Sequence, residues 1–226
     1  ITNGHVVLPF NSADVFFATT ESLLVNGSQG DNTINVDQTN IDVFALGDLG
    51  NDTINIGNGN FAANITAGVL VVGGDGSDVA IIEDTLNAGN NIWTVDSLDI
   101  TQDAATGSVL VNFFGPTIDA VRVDAGAGNS TFNVNSTGSA ATATNVSILG
   151  GNGNDSVNVG DGTFADMYGV ISVNGQGNTD SVVVNDSTDT GADTYTLTNS
   201  LFSKSDWTFN VSYAAVEDFT LEANTG

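Results

Sequence analysis

The sequence predicts an all-β protein wound as a parallel β-helix (a β-solenoid), with coils of roughly 25 residues grouped into 98-residue units. Three observations predict it. A glycine-rich phrase, written LGGNGNDSVNV at 149–159, recurs along the chain. Each copy runs into a short alternation of apolar and polar residues. A longer period lies above the short one, since Gly30, Gly128 and Gly226 are spaced by 98 residues within matching text.

The copies are NGSQGDNTINV (26–36), LGDLGNDTINI (46–56), VGGDGSDVAII (72–82), DAGAGNSTFNV (124–134), LGGNGNDSVNV (149–159) and VNGQGNTDSVVV (173–184). Their marker glycines fall at 30, 50, 76, 128, 153 and 177, so the intervals are 20, 26, 52, 25 and 24, and one copy is missing or degenerate between 76 and 128. Strand side chains alternate between faces, so Ile54 and Ile56, or Val157 and Val159, point the same way. One such strand cannot bury its apolar face, whereas strands stacked from successive copies form a continuous core. A coil of this length suits three short strands with corners, and nine coils spaced by about 4.8 Å make a rod roughly 40 Å long. Glycine suits corners with positive φ, and Asn or Asp tolerates that region while bonding its own backbone.

The long period divides the chain into the end of a preceding unit (1–30), a first unit (31–128) and a second (129–226). GVLVVGGDGSDVAIIEDTLNAGNNIWTV (68–95) matches GVISVNGQGNTDSVVVNDSTDTGADTYTL (169–197), and AVRVDAGAG (120–128) matches DFTLEANTG (218–226). A slice of a longer array, or a subunit whose ends match its neighbours, is the expectation. The stretches 91–114 and 194–210 alternate like strands but lack the glycine phrase, and each predicts an extended coil with a protruding hairpin. The competing architecture is a tandem of immunoglobulin-like sandwiches, which also have about 100 residues. The repeat near 25 disfavours it, because sandwich strands need not resemble one another.

Composition narrows the function. There are 27 acidic residues against Arg122 and Lys204 alone, a formal charge of -25. Only 13% of residues are charged, where about 25% is usual, so the bases are scarce and the acids ordinary in number. A chain this short of cations has no means of neutralising phosphates, which excludes nucleic acid and anionic lipid as partners. No apolar run approaches the ~20 residues of a membrane span. There is no cysteine, hence no disulfide and no thiolate metal site. The chain opens at Ile1 without a basic, apolar leader, as expected of a processed or excised segment. An extracellular or cell-surface location fits the scarcity of trypsin-type cleavage positions.

LGGNGNDSV and VGGDGSDVA resemble the Gly-Gly-x-Gly-x-Asp repeat of the repeats-in-toxin family. That resemblance implies a parallel β-roll with calcium at its turns, where corner carboxylates and carbonyls meet a cation that takes six to eight oxygens. Carried over by position, Asp78 and Asp155 match the motif's aspartate. Asp52 matches in LGDLGNDTI, although Asp48 replaces its second glycine. Asn32 and Ser130 stand there in two other copies, and Asp180 is shifted by one. The family's repeats follow one another directly, whereas here each phrase is isolated. Calcium is thus one reading, and an Asn/Asp ladder that stabilises turns without metal is the other. The chain as a whole is similar to the acidic Gly/Asn/Asp-rich repeats of bacterial extracellular surface proteins and adhesins.

Asn-x-Ser/Thr sequons occur at Asn26, Asn51, Asn64, Asn129, Asn135, Asn145, Asn154, Asn185 and Asn210, all candidate glycosylation positions. No catalytic set is expected. Arg122 alternates outward in AVRVDA, Lys204 lies in a polar Ser-Lys-Ser-Asp turn, and His5 is the single histidine, so a Ser-His-Asp arrangement lacks a base. The adjacent pairs Glu83–Asp84 and Glu217–Asp218 point to opposite faces of their strands. Trp93, Trp207, Phe113, Phe114, Phe202 and Tyr213 belong to the core or to contacts between units, with a sugar-stacking platform as the alternative. The expected function is an extracellular scaffold, filament or surface-layer subunit joined head to tail with itself. An adhesin binding carbohydrate and a calcium-loaded region of a secreted protein are the alternatives.

Overall fold

The computed structural model describes residues 5–7, 14–16, 20–97, 99–104, 107–113, 117–205 and 207–224, with side chains described from residue 20 onward except at 104 and 107–110. The chain is all-β. A small antiparallel pair, β1 (His5–Val7) and β2 (Asp14–Phe16), precedes two large sheets. The strands of the first half are β3 (Ser22–Gln29), β4 (Thr33–Val36), β5 (Asp42–Leu49), β6 (Thr53–Ile56), β7 (Val69–Asp75), β8 (Val79–Glu83), β9 (Ile92–Asp96), β10 (Asp99–Ala104) and β11 (Gly107–Phe113). A one-turn helix, α1 (Phe61–Asn64), joins β6 to β7. The second half holds β12 (Ala120–Asp124), β13 (Thr131–Val134), β14 (Asn145–Leu149), β15 (Ser156–Val159), β16 (Ile171–Asn174), β17 (Ser181–Asp186), β18 (Tyr195–Leu197), β19 (Leu201–Lys204), β20 (Asn210–Ala214) and β21 (Asp218–Ala223).

Outside two antiparallel meanders, successive strands alternate between the sheets. The ten-stranded sheet has the order β21-β17-β15-β13-β9-β10-β11-β7-β5-β3, and the nine-stranded sheet β18-β19-β20-β16-β14-β12-β8-β6-β4. Neighbours are parallel outside the meanders and sit one repeat apart, as in Val43↔Val69 and Thr131↔Ser156. The arrangement is consistent with a β-helix-like fold. Parallel pairing one repeat apart excludes the immunoglobulin-like alternative, whose sheets are antiparallel. A repeat contributes two strands and two corners, not the expected three strands, because segments such as 57–68 cross between sheets without becoming a third face.

Alternation accounts for the core. β6 and β15 each bury their second and fourth residues, Ile54 and Ile56, Val157 and Val159. Stacked, these residues form one apolar cluster reaching from Ile34 to Val211. Fully burying one such side chain contributes about 1.5–3 kcal/mol, so the core follows from repetition of a minimal strand.

The meanders correct the expected protruding hairpins. β9, β10 and β11 lie flat within the ten-stranded sheet, with β11 parallel to β7 and β9 parallel to β13. Ile100 and Gln102 of β10 are fully buried. In the second unit β18, β19 and β20 form a meander at the end of the nine-stranded sheet, with β20 parallel to β16 and β18 at the edge. Two crossing loops bring phenylalanines against the meanders. Phe61 meets Trp93 at 5.6 Å between ring centroids, and Phe164 meets Phe209 at 4.7 Å and Phe202 at 6.2 Å.

Candidate functional site

The corners hold the first set of chemically notable residues. At six corners an acidic residue immediately precedes the strand that follows, and its side chain bonds the neighbouring coil. Asp52 Oδ1 accepts the Asn32 N–H at 2.7 Å, Asp78 Oδ1 the Asp52 N–H at 2.7 Å, and Asp119 Oδ2 the Asp78 N–H at 2.8 Å. These lie where the chain passes from the ten-stranded to the nine-stranded sheet. At the opposite crossing Asp155 Oδ1 accepts the Ser130 N–H at 2.7 Å, Asp180 Oδ1 the Asp155 N–H at 2.8 Å, and Glu217 Oε2 the Asp180 N–H at 2.7 Å. An amide ladder runs beside each. Asn51 receives the Ser77 N–H, while Asn90, Asn129 and Asn154 receive those of Asn129, Asn154 and Thr179.

Asp52, Asp78 and Asp155 therefore do not form one cluster. Asp52 and Asp78 are adjacent rungs on one edge, and Asp155 stands on the other. In all three, and in Asp180, Oδ1 is engaged while Oδ2 is buried without a hydrogen-bond partner. These free oxygens face glycines of the same corner, Gly47, Gly73, Gly150 and Gly175, where a Cβ would overlap or crowd them. Burial pushes the Asp155 carboxyl up to about 6, opposed by the Ser130 N–H and reinforced by the Asp180 charge. Burial likewise raises Asp78 and Asp180. Each corner offers a cation one free carboxylate oxygen, so the rest of the six to eight oxygens that calcium takes would have to come from backbone carbonyls or water.

The second set was hidden by its sequence setting. Asp186, Asp189 and Asp193 bring carboxylate oxygens within 4.8 Å of one another, a spacing that could hold a metal ion. Lys204 already reaches among them. Its Nζ lies 2.8 Å from Asp186, 2.6 Å from Asp189 and 3.0 Å from Asp193, and its side chain is fully buried. The ammonium stands where a cation would. The expected polar turn at Lys204 is corrected, since the residue closes β19, where the two-residue period places it on the face of buried Phe202. The rings of Phe164, Trp207 and Tyr195 lie 5.5, 5.7 and 5.8 Å from Nζ. Burial works to lower the lysine's pKa, but the three carboxylate bonds outweigh it and raise it. Tyr195 donates its hydroxyl to Asp186 Oδ2 at 2.8 Å.

The first unit repeats this site with different chemistry. Asp84 and Gln102 stand 102 residues before Asp186 and Lys204, and Gln102 Nε2 donates to Asp84 Oδ2 at 2.8 Å. Asp84 also accepts the Phe61 N–H and bonds from Asn87 and Asn91. Burial raises its pKa against those bonds.

Arg122 forks onto Asp124 through Nε and Nη2 at 2.7 and 2.6 Å, with its side chain partly exposed as expected. Trp93, Phe202 and Phe113 are core residues, and Trp207 and Tyr213 pack half-buried against them, so none forms an open platform. Phe114 lies outside the described residues, as do the side chains of His5 and the fold at Ile1. Several sequon amides are in use, with Asn145 receiving the Val170 N–H and Asn185 that of Ser187. Among the described residues no helix is long and apolar enough to cross a membrane. Neither family models nor curated proteins give a match to the chain.

Proposed function

We propose that the chain is a structural protein, a β-solenoid rod that serves as an extracellular scaffold and assembles end to end with itself. The observation that carries this reading is the pair of corner ladders, in which the chemistry-bearing carboxylates are used to bond one coil to the next. The scarcity of lysine and arginine supports a solvent-facing role without nucleic acid or anionic lipid. For assembly, β21 supplies a sheet edge whose Phe219 and Leu221 are only partly buried against the core. Strand addition by a second copy satisfies such an edge, and repeated heterologous contacts that do not close make fibres. Electron micrographs of native material test this. Rods or filaments with an axial repeat are expected, and compact monomers at all concentrations contradict it.

The buried, unpartnered Oδ2 atoms of Asp52, Asp78 and Asp155 favour a second reading, calcium held at the corners. A bound ion would require water to complete its shell. Melting curves after chelation decide between the two. A rise in Tm with millimolar calcium that Asp155→Ala abolishes supports the ion, and an unchanged Tm leaves the ladder metal-free.

A further inference from the structure

We propose that Lys204 and Asp186 close into an intramolecular amide that joins the two sheets covalently. Lys204 ends β19 of the nine-stranded sheet and Asp186 ends β17 of the ten-stranded sheet. Both side chains are fully buried, with Nζ 2.8 Å from Asp186 Oδ2. Asp186 Oδ1 is buried and has no hydrogen-bond partner. Three carboxylates face one ammonium, and Lys204 and Asp186 are the fully buried members of the cluster, whereas Asp189 and Asp193 keep 29% and 18% of their side-chain surface. Burial of that pair narrows the advantage of the ion pair over a neutral amine and acid, against the pull of the three carboxylates on the ammonium.

The surrounding groups suit acyl transfer. Asp189, in contact with Nζ, relays a first proton from Nζ to Asp186 Oδ1, giving an amine beside a carboxylic acid. The Tyr195 hydroxyl, bonded to Oδ2, stabilises the oxyanion that develops there as Nζ attacks Cγ. Asp189, 2.6 Å from Nζ, accepts the second proton and returns it to Oδ1. The Nζ–Cγ bond forms, the Cγ–Oδ1 bond breaks, and one water leaves. No oxidant or cofactor is required, and the fixed approach supplies the entropic advantage of an intramolecular reaction. The first unit is an internal control, because Gln102 presents Asp84 with a non-nucleophilic amide nitrogen.

Mass spectrometry of the full chain, denatured after purification, tests the proposal. The expected mass is about 18 Da below that of the sequence, one water. Fragmentation should yield a branched peptide joining residues 186 and 204. Lys204→Arg should restore the full mass, and Asp186→Asn should lose about 17 Da, ammonia replacing water as the leaving group. A wild-type chain at its full sequence mass overturns the cross-link, as does a loss that maps to a cyclic imide at a single aspartate. A branch at Asp189 or Asp193 overturns the assignment of Asp186.

Discussion

At the scale of single residues, the corner aspartates exchange solvation for order. Asp155 gives one oxygen to the preceding coil's backbone and hides the other. With a folded pKa of about 6, it binds a proton more tightly folded than unfolded, where its pKa is near 3.8. Its contribution is therefore full below pH 4 and is lost as pH rises through 6. Thermal melts should show stability increasing on acidification across that window, by up to about 3 kcal/mol at this position. Asp155→Asn keeps an acceptor for Ser130, cannot ionise, and should flatten that dependence. Lys204 gives a second test. Lys204→Met leaves three carboxylates without their cation and should cost about 3–5 kcal/mol in denaturant melts. Lys204→Gln restores a donor of the kind Gln102 supplies to Asp84, and should cost clearly less. The burial of Lys204 was legible in one respect, its two-residue spacing from Phe202. Its serine and aspartate neighbours obscured that spacing, and the partners Asp186, Asp189 and Asp193 become neighbours only through folding.

At the scale of elements, the coil is a strand, a close corner and a strand. Gly30 and Gly76 both have positive φ, at 119° and 139°. A Cβ on Gly30 meets nothing, whereas one on Gly76 overlaps the Gly50 carbonyl oxygen of the adjacent coil. Gly30→Ala should therefore cost only the backbone penalty, about 1–2 kcal/mol, and Gly76→Ala appreciably more by the same unfolding assay. Corners and strands were readable because glycine and alternation act locally. The degenerate copy is now located at Gly89-Asn90-Asn91, whose Asn90 occupies a ladder position. Its glycine is followed by Asn-Asn in place of the commoner pairs, which concealed it. The meanders were misjudged because alternation reveals a strand's face but not which neighbour it pairs with.

At the scale of the molecule, the 98-residue unit carries a consequence that its text does not display. β3, β12 and β21 begin at Ser22, Ala120 and Asp218, spaced by 98, yet they fall in the ten-stranded, nine-stranded and ten-stranded sheets in turn. Nine strands make a unit, so each unit enters on the opposite sheet from the last. The same motif thus places Asp78 on one edge and Asp155 on the other. The three-stranded meander widens one sheet in the first unit and the other sheet in the second, so that the imbalance cancels over two units. Repetition was legible from text alone, whereas the exchange of sheets depends on counting strands within each meander.

The in-register stack has a direct measurement, made clean by the absence of native cysteine. Asn133 and Asn158 are partners on adjacent strands, 25 residues apart in sequence, with Asn158 Nδ2 donating to Asn133 Oδ1 at 2.9 Å. Cysteines at 133 and 158 should form a disulfide rapidly under mild oxidation, seen as a mobility shift reversed by reductant. Cysteines at 133 and 156 are offset by two residues along the strand, beyond the Cα separation of about 7 Å that a disulfide spans, and should not. Equal or absent closure in both pairs would contradict the stacked coils on which the proposed rod depends.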